Sequence, residues 1–398
     1  MSVYLDHAAT TPVLPEVIDV VAATMRDVGN ASSLHTGGRA ARRVVEESRE
    51  SIAADLAVRP SEVVFTSGGT ESDNMAVKGT LWRQVAAQPE RRRLIISAIE
   101  HHAVLDPVEY LVTTGQAEVT WLMPDSSGVV SPRVLREALA ESADTAALVS
   151  VMWANNETGV VQPICELATM AREVGVPLHT DAVQAVGHLP LDLGSCRADL
   201  ITMTGHKLGG PLGVGVLIAG RDQAPVPLTH GGGQERQLRS GTLDVPGIAG
   251  LAVAVRYAVA RREGESARLV GLRDRLIEGA MAIDPSITVN GAWTPGDGER
   301  RLPGNAHLRV PDCDGDSLLY LLDAAGVQCS TGSACQAGVP QPSHVLLAMG
   351  LTEGEARGAL RLSLGHTSTQ ADVDGFLAAL PSAIDRARRA RLATDRAS

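Results

Sequence analysis

The chain has 398 residues, 44% of them apolar, and a formal net charge of −11. That length allows two or three domains with sizeable cores, and with only two Phe, four Tyr and four Trp those cores must be aliphatic and alanine-rich. The acidic balance argues against nucleic acid or an anionic membrane surface as a main partner.

The N-terminus, Met-Ser-Val-Tyr-Leu-Asp-His, shows no basic region followed by an apolar stretch, so no signal peptide is expected. Residues 37 to 57 place Val45, Ile52 and Leu56 on one face of a helix. Seven short apolar runs rich in β-branched residues follow: Val63 to Thr66, Leu94 to Ile99, Val119 to Met123, Ala147 to Trp153, Pro177 to Thr180, Leu200 to Thr204 and Gly213 to Ala219. Amphipathic stretches separate most of them, which predicts an α/β fold with a mostly parallel seven-stranded sheet covered on both faces. The last two runs are joined by a Gly-Pro-Leu-Gly turn rather than a helix, so one strand is expected to run antiparallel. Ligands of such sheets gather at the C-terminal strand ends. After Gly231-Gly232-Gly233 the pattern changes. A long helix from about Val245 to Ala280 leads into a smaller α+β unit, in which Thr294 to Gly304 reads as a surface loop and a final helix starts near Ala371. The longest nearly apolar stretch, Ala146 to Ala154, is too short to span a bilayer. Arginine clusters at Arg91 to Arg93 and at Arg386, Arg388, Arg389 and Arg391 read as solvated faces.

Several strand ends carry chemistry. Thr66-Ser67-Gly68-Gly69-Thr70-Glu71-Ser72 follows a strand and opens a helix, where small residues and a helix N-terminus make a phosphate cup or, equally, a capped turn. His101 and His102 follow the Leu94 to Ile99 run; one ring could stack on a planar cofactor and shuttle protons. Asn155-Asn156-Glu157 also follows a strand, where amides can orient a carboxylate or simply form a turn. Asp181 and Gln184 come directly after a buried-looking strand. A carboxylate there could keep a pyridine nitrogen protonated, with Gln184 on the ring hydroxyl, although Asp181 could also be a helix cap. Lys207, in Thr204-Gly205-His206-Lys207, lies 26 residues beyond Asp181, far enough for both to meet at one sheet edge. A lysine held there suits a covalent aldehyde cofactor, whereas a lone Gly-His-Lys is more often a solvated turn. Arg361 alternates with apolar neighbours as on a strand, and an inward arginine implies an anionic substrate.

The five cysteines are few, odd in number and scattered, which is not a disulfide framework. Cys165, Cys196 and Cys313 read as buried structural thiols, and Cys329 reads mainly as packing. Cys335 stands in Ser330-Thr331-Gly332-Ser333-Ala334-Cys335-Gln336-Ala337-Gly338, a loop composition that suits an accessible thiol acting as nucleophile or sulfur carrier. No intrinsic metal site is expected, since Cys329 and Cys335 have no histidine cluster beside them.

Together these motifs resemble the NifS/IscS-type cysteine desulfurases, which are fold-type I pyridoxal-phosphate enzymes. The resemblance runs nearly end to end, from Tyr4-Leu5-Asp6-His7-Ala8-Ala9-Thr10-Thr11-Pro12 through His230-Gly231-Gly232-Gly233-Gln234-Glu235-Arg236 to Arg361-Leu362-Ser363-Leu364-Gly365. It implies a large pyridoxal-phosphate-binding domain over residues 15–252 and a small domain formed by 1–14 and 253–398. Lys207 would carry pyridoxal 5'-phosphate covalently, and His101 would stack on it and assist proton transfer. Asp181 and Gln184 would hold the ring, and Gly69, Thr70, Thr204 and His206 the phosphate. Asn156 and Arg361 would seat the carboxylate of L-cysteine. Cys335 would take the sulfur as a persulfide and pass it to acceptor proteins for iron–sulfur cluster assembly or tRNA thiolation, with Cys335 a transient cluster ligand at most. The resemblance also implies a homodimer in which Thr242 reaches the neighbouring active site, and a cytoplasmic location. Cys329 departs from the pattern, since serine is common there. The sequence ends soon after the arginine-rich helix, without the extension some relatives use to dock a scaffold. A transaminase or a selenocysteine lyase on the same scaffold is the alternative reading, and a thiol-based cluster scaffold a third.

Overall fold

The computed structural model describes residues 2–332 and 341–395. Its largest element is a seven-stranded sheet in the order Val63–Thr66, Gly215–Ala219, Leu200–Thr204, Leu178–Asp181, Ala146–Ser150, Arg93–Ser97 and Glu118–Leu122. The four neighbouring pairs from Leu200–Thr204 to Glu118–Leu122 are parallel, while Gly215–Ala219 runs antiparallel to both its neighbours. All seven apolar runs are strands, and the antiparallel one is the strand entered through the Gly-Pro turn. The five neighbouring strands Val63–Thr66, Gly215–Ala219, Leu200–Thr204, Leu178–Asp181 and Ala146–Ser150 are buried at every position, as expected of strands covered on both faces.

Helices cover the sheet because their apolar stripes match its faces. Thr36–Asp55 buries Val45 and Ile52 completely, with Leu56 just beyond its end. Val245–Ile283, capped by Asp244 accepting from the Gly247 N–H, packs on Thr36–Asp55 and Pro15–Met25. Gly250 makes the second contact possible: a methyl there would stand 2.7 Å from Val21 Cγ2. At 39 residues this helix is about 58 Å long. Its first half belongs to the core of the large sheet. Its second half, through Leu269, Leu276 and Ile277, joins another core that includes Leu5, Leu308, Leu360 and Phe376. This second core lies around an antiparallel sheet of Thr288–Val289, Asn305–Arg309 and Ala359–Ser363, a parallel pair Val3–Tyr4 with Val327–Gln328, and the helix Gln370–Asp395.

Three expectations need correction. The Pro/Gly-rich segment Thr294 to Gly304 is a surface loop only in its first half. Arg301, Leu302 and Pro303 are buried, and Arg301 bridges Val160. Cys165 is exposed rather than a buried thiol and is joined to the buried Cys196 in a disulfide. The arginine-rich helix is not uniformly solvated either, because Arg388 is half-buried and bonds Asp284. No helix among the described residues is long and apolar enough to cross a membrane.

Candidate active site

The C-terminal ends of the parallel strands open into a cavity of about 380 Å³. Its lining includes Gly69, Thr70, His101, Asn156, Asp181, Gln184, Thr204, His206, Lys207 and Arg361. Ten residues separated by up to 292 positions thus converge: nine end or follow strands of the large sheet that point at the same rim, and Arg361 comes from Ala359–Ser363 of another sheet. Thr242 is exposed and lies outside this lining. Cys335 lies outside the described residues, but Ser330 and Gly332, just upstream of it, line the cavity mouth.

Lys207 rests its Nζ 2.6 Å from the Ala9 carbonyl and within reach of Ala8 O. Burial, with Arg361 as the next contributor, brings its pKa down to about 8. The solvated-turn alternative therefore does not describe it. Asp181 is buried; its Oδ1 accepts from the Val183 N–H at 2.8 Å. Burial, then the nearby Asp73, raises its pKa to about 7. Gln184 donates to Ala8 O at 3.0 Å. His101 caps the helix His102–Thr113, and its Nδ1 accepts from Ala103 N at 3.1 Å, which leaves the ring proton on Nε2. The ring is solvent-accessible at the mouth, yet desolvation and then Lys207 hold its pKa near 4, so it is neutral.

The small residues after Val63–Thr66 serve geometry. Gly68 adopts φ +145°, and a methyl on Gly69 would stand 3.1 Å from Val183 Cγ2. The helix Gly69–Asn74 starts there, and the first-turn N–H groups of a helix have no acceptor within it. Thr204 donates to Val214 O, and His206 lies 3.3 Å from Thr10 Oγ1.

Asn155 and Asn156 divide the two readings of their turn. The Asn155 side chain builds it, donating to Ile99 O and accepting from the Glu157 and Thr158 N–H groups. That leaves the neighbouring Asn156 at the cavity. Its carbonyl accepts from Arg361 Nη1 at 3.0 Å, while Arg361 Nη2 bonds Asp6 at 2.8 Å. Arg361 Nε is buried with no partner.

Sequence reasoning assigned no role to three lining groups, Asp73, Glu157 and His344, or to Glu100 behind the lining. Asp73 and Glu100 are completely or nearly buried carboxyls beside Asp181; Asp73 comes directly after the Thr66 to Ser72 stretch and Glu100 directly before His101. Asp73 Oδ1 is 3.4 Å from His179 Nε2, and Glu100 Oε1 accepts from Met152 N. Glu157 accepts from Ser343 Oγ, and His344 reaches Glu100 O at 3.0 Å. The remaining thiols of the second core are buried, and burial pushes Cys329 up to about 12 and Cys313 to about 11. A second cavity lies against the Lys207 backbone, lined by His7, His188 and His366. His7 and His366 are already engaged by Thr11. No group of three or more metal-binding side chains occurs among the described residues.

A family model for class-V aminotransferases matches residues 3–376. A protein of Mycobacterium tuberculosis described as an IscS-like cysteine desulfurase is 58% identical over 395 residues, 99% of each chain. The cysteine desulfurase IscS of Methanosarcina thermophila is 42% identical, covering 97% of this chain and 93% of its own. A solved structure described as a NifS-like protein superimposes with a TM-score of 0.88 at 34% identity, over 97% of this chain and 100% of its own. These matches span both cores, not the sheet alone. The chain therefore belongs to the class-V aminotransferase family, in its branch of NifS/IscS-type cysteine desulfurases, enzymes that depend on pyridoxal phosphate.

Proposed function

We propose that the protein removes sulfur from L-cysteine, giving L-alanine and a persulfide on Cys335. The observation that carries this reading is one cavity holding Lys207, Asp181 and Arg361 at the point where the chain departs toward Cys335. The residues fit pyridoxal phosphate: an amine of lowered pKa for its aldehyde, a buried carboxylate for its ring nitrogen, and a glycine-lined helix start for its phosphate. Lys207, Asp181, Gln184, His101, Gly69, Thr70, Thr204 and His206 would hold it. Bound there, the cofactor supplies an electron sink for the pair released when the Cα–H bond of an amino acid breaks.

The protein's own groups do the rest. Lys207, with a pKa near working pH, can take the Cα proton and return it. Neutral His101 offers Nε2–H at the cavity mouth. Arg361 lines the cavity with Asp6 and Asn156 fixing its two terminal nitrogens, so its guanidinium would orient a substrate carboxylate as well as bind it. Asp181 must be ionised to hold a protonated ring nitrogen, and that cation lowers its pKa in turn. Sulfur then moves by attack of the Cys335 thiolate on the substrate sulfur: an S–S bond forms, the C–S bond breaks, and its electron pair takes a proton at Cβ. Cysteine and a thiol give alanine and a persulfide, so the step needs no external oxidant.

We place the domain boundaries at 15–252 for the large unit and 1–14 with 253–398 for the small one, a reading supported by the two cores. A homodimer, with Thr242 reaching its neighbour, follows from the family resemblance; Thr242 is exposed, as such a contact requires. Protein acceptors serving iron–sulfur assembly or tRNA thiolation, transient cluster contact at Cys335, and a cytoplasmic location follow from the family resemblance.

The test is incubation of the loaded enzyme with L-cysteine, scoring alanine and protein-bound persulfide. Cys335→Ala should abolish both in the absence of an added thiol. A transaminase would be indifferent to that change, and an unchanged alanine yield would overturn the reading.

A further inference from the structure

His307 lies on Asn305–Arg309 directly opposite Arg361 on Ala359–Ser363. Directly opposed residues in an antiparallel pair share a face, so both side chains leave the sheet on one side. Arg361 turns to Asp6 and Asn156. His307 is fully buried, with Nδ1 3.2 Å from Asn290 Nδ2. An amide nitrogen can only donate, so Nδ1 accepts and the proton of the neutral ring sits on Nε2. Burial, then the guanidiniums of Arg301 and Arg361, holds the ring pKa near 3. The imidazole therefore stays neutral at any working pH and keeps that one donor.

The donor faces the backbone that leads to Cys335. Ser330 pairs with Arg361 through Arg361 N to Ser330 O at 2.7 Å and the reverse bond at 3.1 Å. Two residues later Gly332 turns with φ +90°, and a methyl there would stand 3.2 Å from His307 Nε2 and 3.4 Å from Glu157 Cγ. Nε2 is buried beside this turn and has no hydrogen-bond partner. The ring is thus the floor on which the chain turns away from Arg361.

We propose that His307 is a positioning residue for sulfur transfer: fixed by Asn290, its imidazole sets the direction in which the chain leaves Thr331–Gly332 toward Cys335. This rests on the reading that Cys335 receives the sulfur. Cα proton removal uses Lys207, Asp181 and Arg361, so His307 should matter to the later half of the reaction alone.

The experiment compares His307→Leu, which keeps bulk without hydrogen bonds, with His307→Gln, which keeps a donor and an acceptor. On full-length loaded enzyme it measures kcat and KM for alanine formation, and exchange of the cysteine Cα hydrogen with deuterated solvent. His307→Leu should lower kcat at least tenfold with KM and exchange within twofold of wild type, and His307→Gln should recover most of the loss. A kcat within twofold of wild type overturns the proposal, as does a loss shared equally by exchange or expressed in KM. If His307→Leu does not fold, Gly332→Ala must give the same kcat-only loss, and normal turnover there overturns the proposal. Cys335→Ala runs alongside. Should it form alanine at the wild-type rate, the sulfur-carrier reading fails; should it be inactive while His307→Leu turns over normally, only the role of His307 fails.

Discussion

The buried ionisable groups on the large-sheet side of the cavity and those on the small-sheet side are opposite in kind and alike in strain. On the side of the large sheet, Asp73, Glu100 and Asp181 are buried together, and burial raises all three pKa values, to about 7 for Asp73 and Asp181 and well above the usual range for Glu100. On the side of the small sheet, Arg301, His307 and Arg361 are buried together, and desolvation pulls Arg301 down to about 9 and His307 to about 3. Each side keeps buried polar atoms without a hydrogen bond: Asp73 Oδ1 and Glu100 Oε2 on one, Arg301 Nε and Nη1 and Arg361 Nε on the other. Buried groups left this way cost stability, and most proteins pair them. Of these groups Asp73, Asp181 and Arg361 line the cavity, so a cation held near the first two and an anion near the third would relieve them. An amino acid with its carboxylate toward Arg361 and its amino end toward Asp181 would have one defined orientation.

The acidic side gives the largest expected effect. Asp181→Asn keeps the shape and removes the charge that holds a ring nitrogen protonated, so kcat should fall by ~100-fold or more, with KM changed little, because the loss is in transition-state stabilisation. Steady-state alanine formation checks this. An Asn variant with near-normal kcat would mean that another carboxyl, Asp73 or Glu100, carries the charge, and the assignment of roles on that side would be wrong.

The basic side should respond in the other kinetic constant. Arg361→Lys keeps the charge and loses the fork that binds Asp6, Asn156 O and a third acceptor together. A charge-assisted hydrogen bond is worth about 1.5–3 kcal/mol, so KM for cysteine should rise by ~10- to 100-fold while kcat changes less. If kcat falls and KM stays, the arginine organises the site rather than seating substrate.

This division was half legible in the sequence. Lys207, Asp181, His101 and Asn156 could be read because each directly follows an apolar strand run, and strand ends of a parallel sheet converge. Arg361 could be read because it interrupts an alternating apolar strand. What holds these groups was not legible. Asp6 meets Arg361 from 355 positions away, and no local pattern encodes that. Arg301 sits in a Pro/Gly-rich stretch whose composition argues for solvent, yet its bridge to Val160 draws it under the second core. Cys165 and Cys196 are 31 residues apart on two helices whose docking alone brings them together. Strand ends were also overrun: the runs to Ile99 and Trp153 stay apolar, but the ladders stop at Ser97 and Ser150. There the chain peels away to place Glu100 against Met152 N.

The smallest expected effect concerns stability, and it separates charge from shape on the acidic side. The folded-state pKa of Asp73, about 7, lies above the ordinary value of 3.8. Between those values the folded chain binds more protons than the unfolded chain, so this group makes stability fall as pH rises from about 4 to 7. Its neighbour His179 acts in the opposite sense: its pKa is lowered from 6.5 to about 4, so its contribution grows with pH over much of the same window. A single melting curve therefore mixes the two. The difference between Asp73→Asn and the parent, measured on cofactor-free protein, removes most of the histidine contribution and isolates the carboxyl. That difference in Tm should move in favour of the variant from pH 4 to pH 7, by about 2–4 °C per kcal/mol, and level off above. Loss of the Asp73 charge also relieves Asp181, which pushes in the same direction. A difference independent of pH would show that Asp73 is already ionised beside His179, and the acidic side would then hold an ordinary buried ion pair.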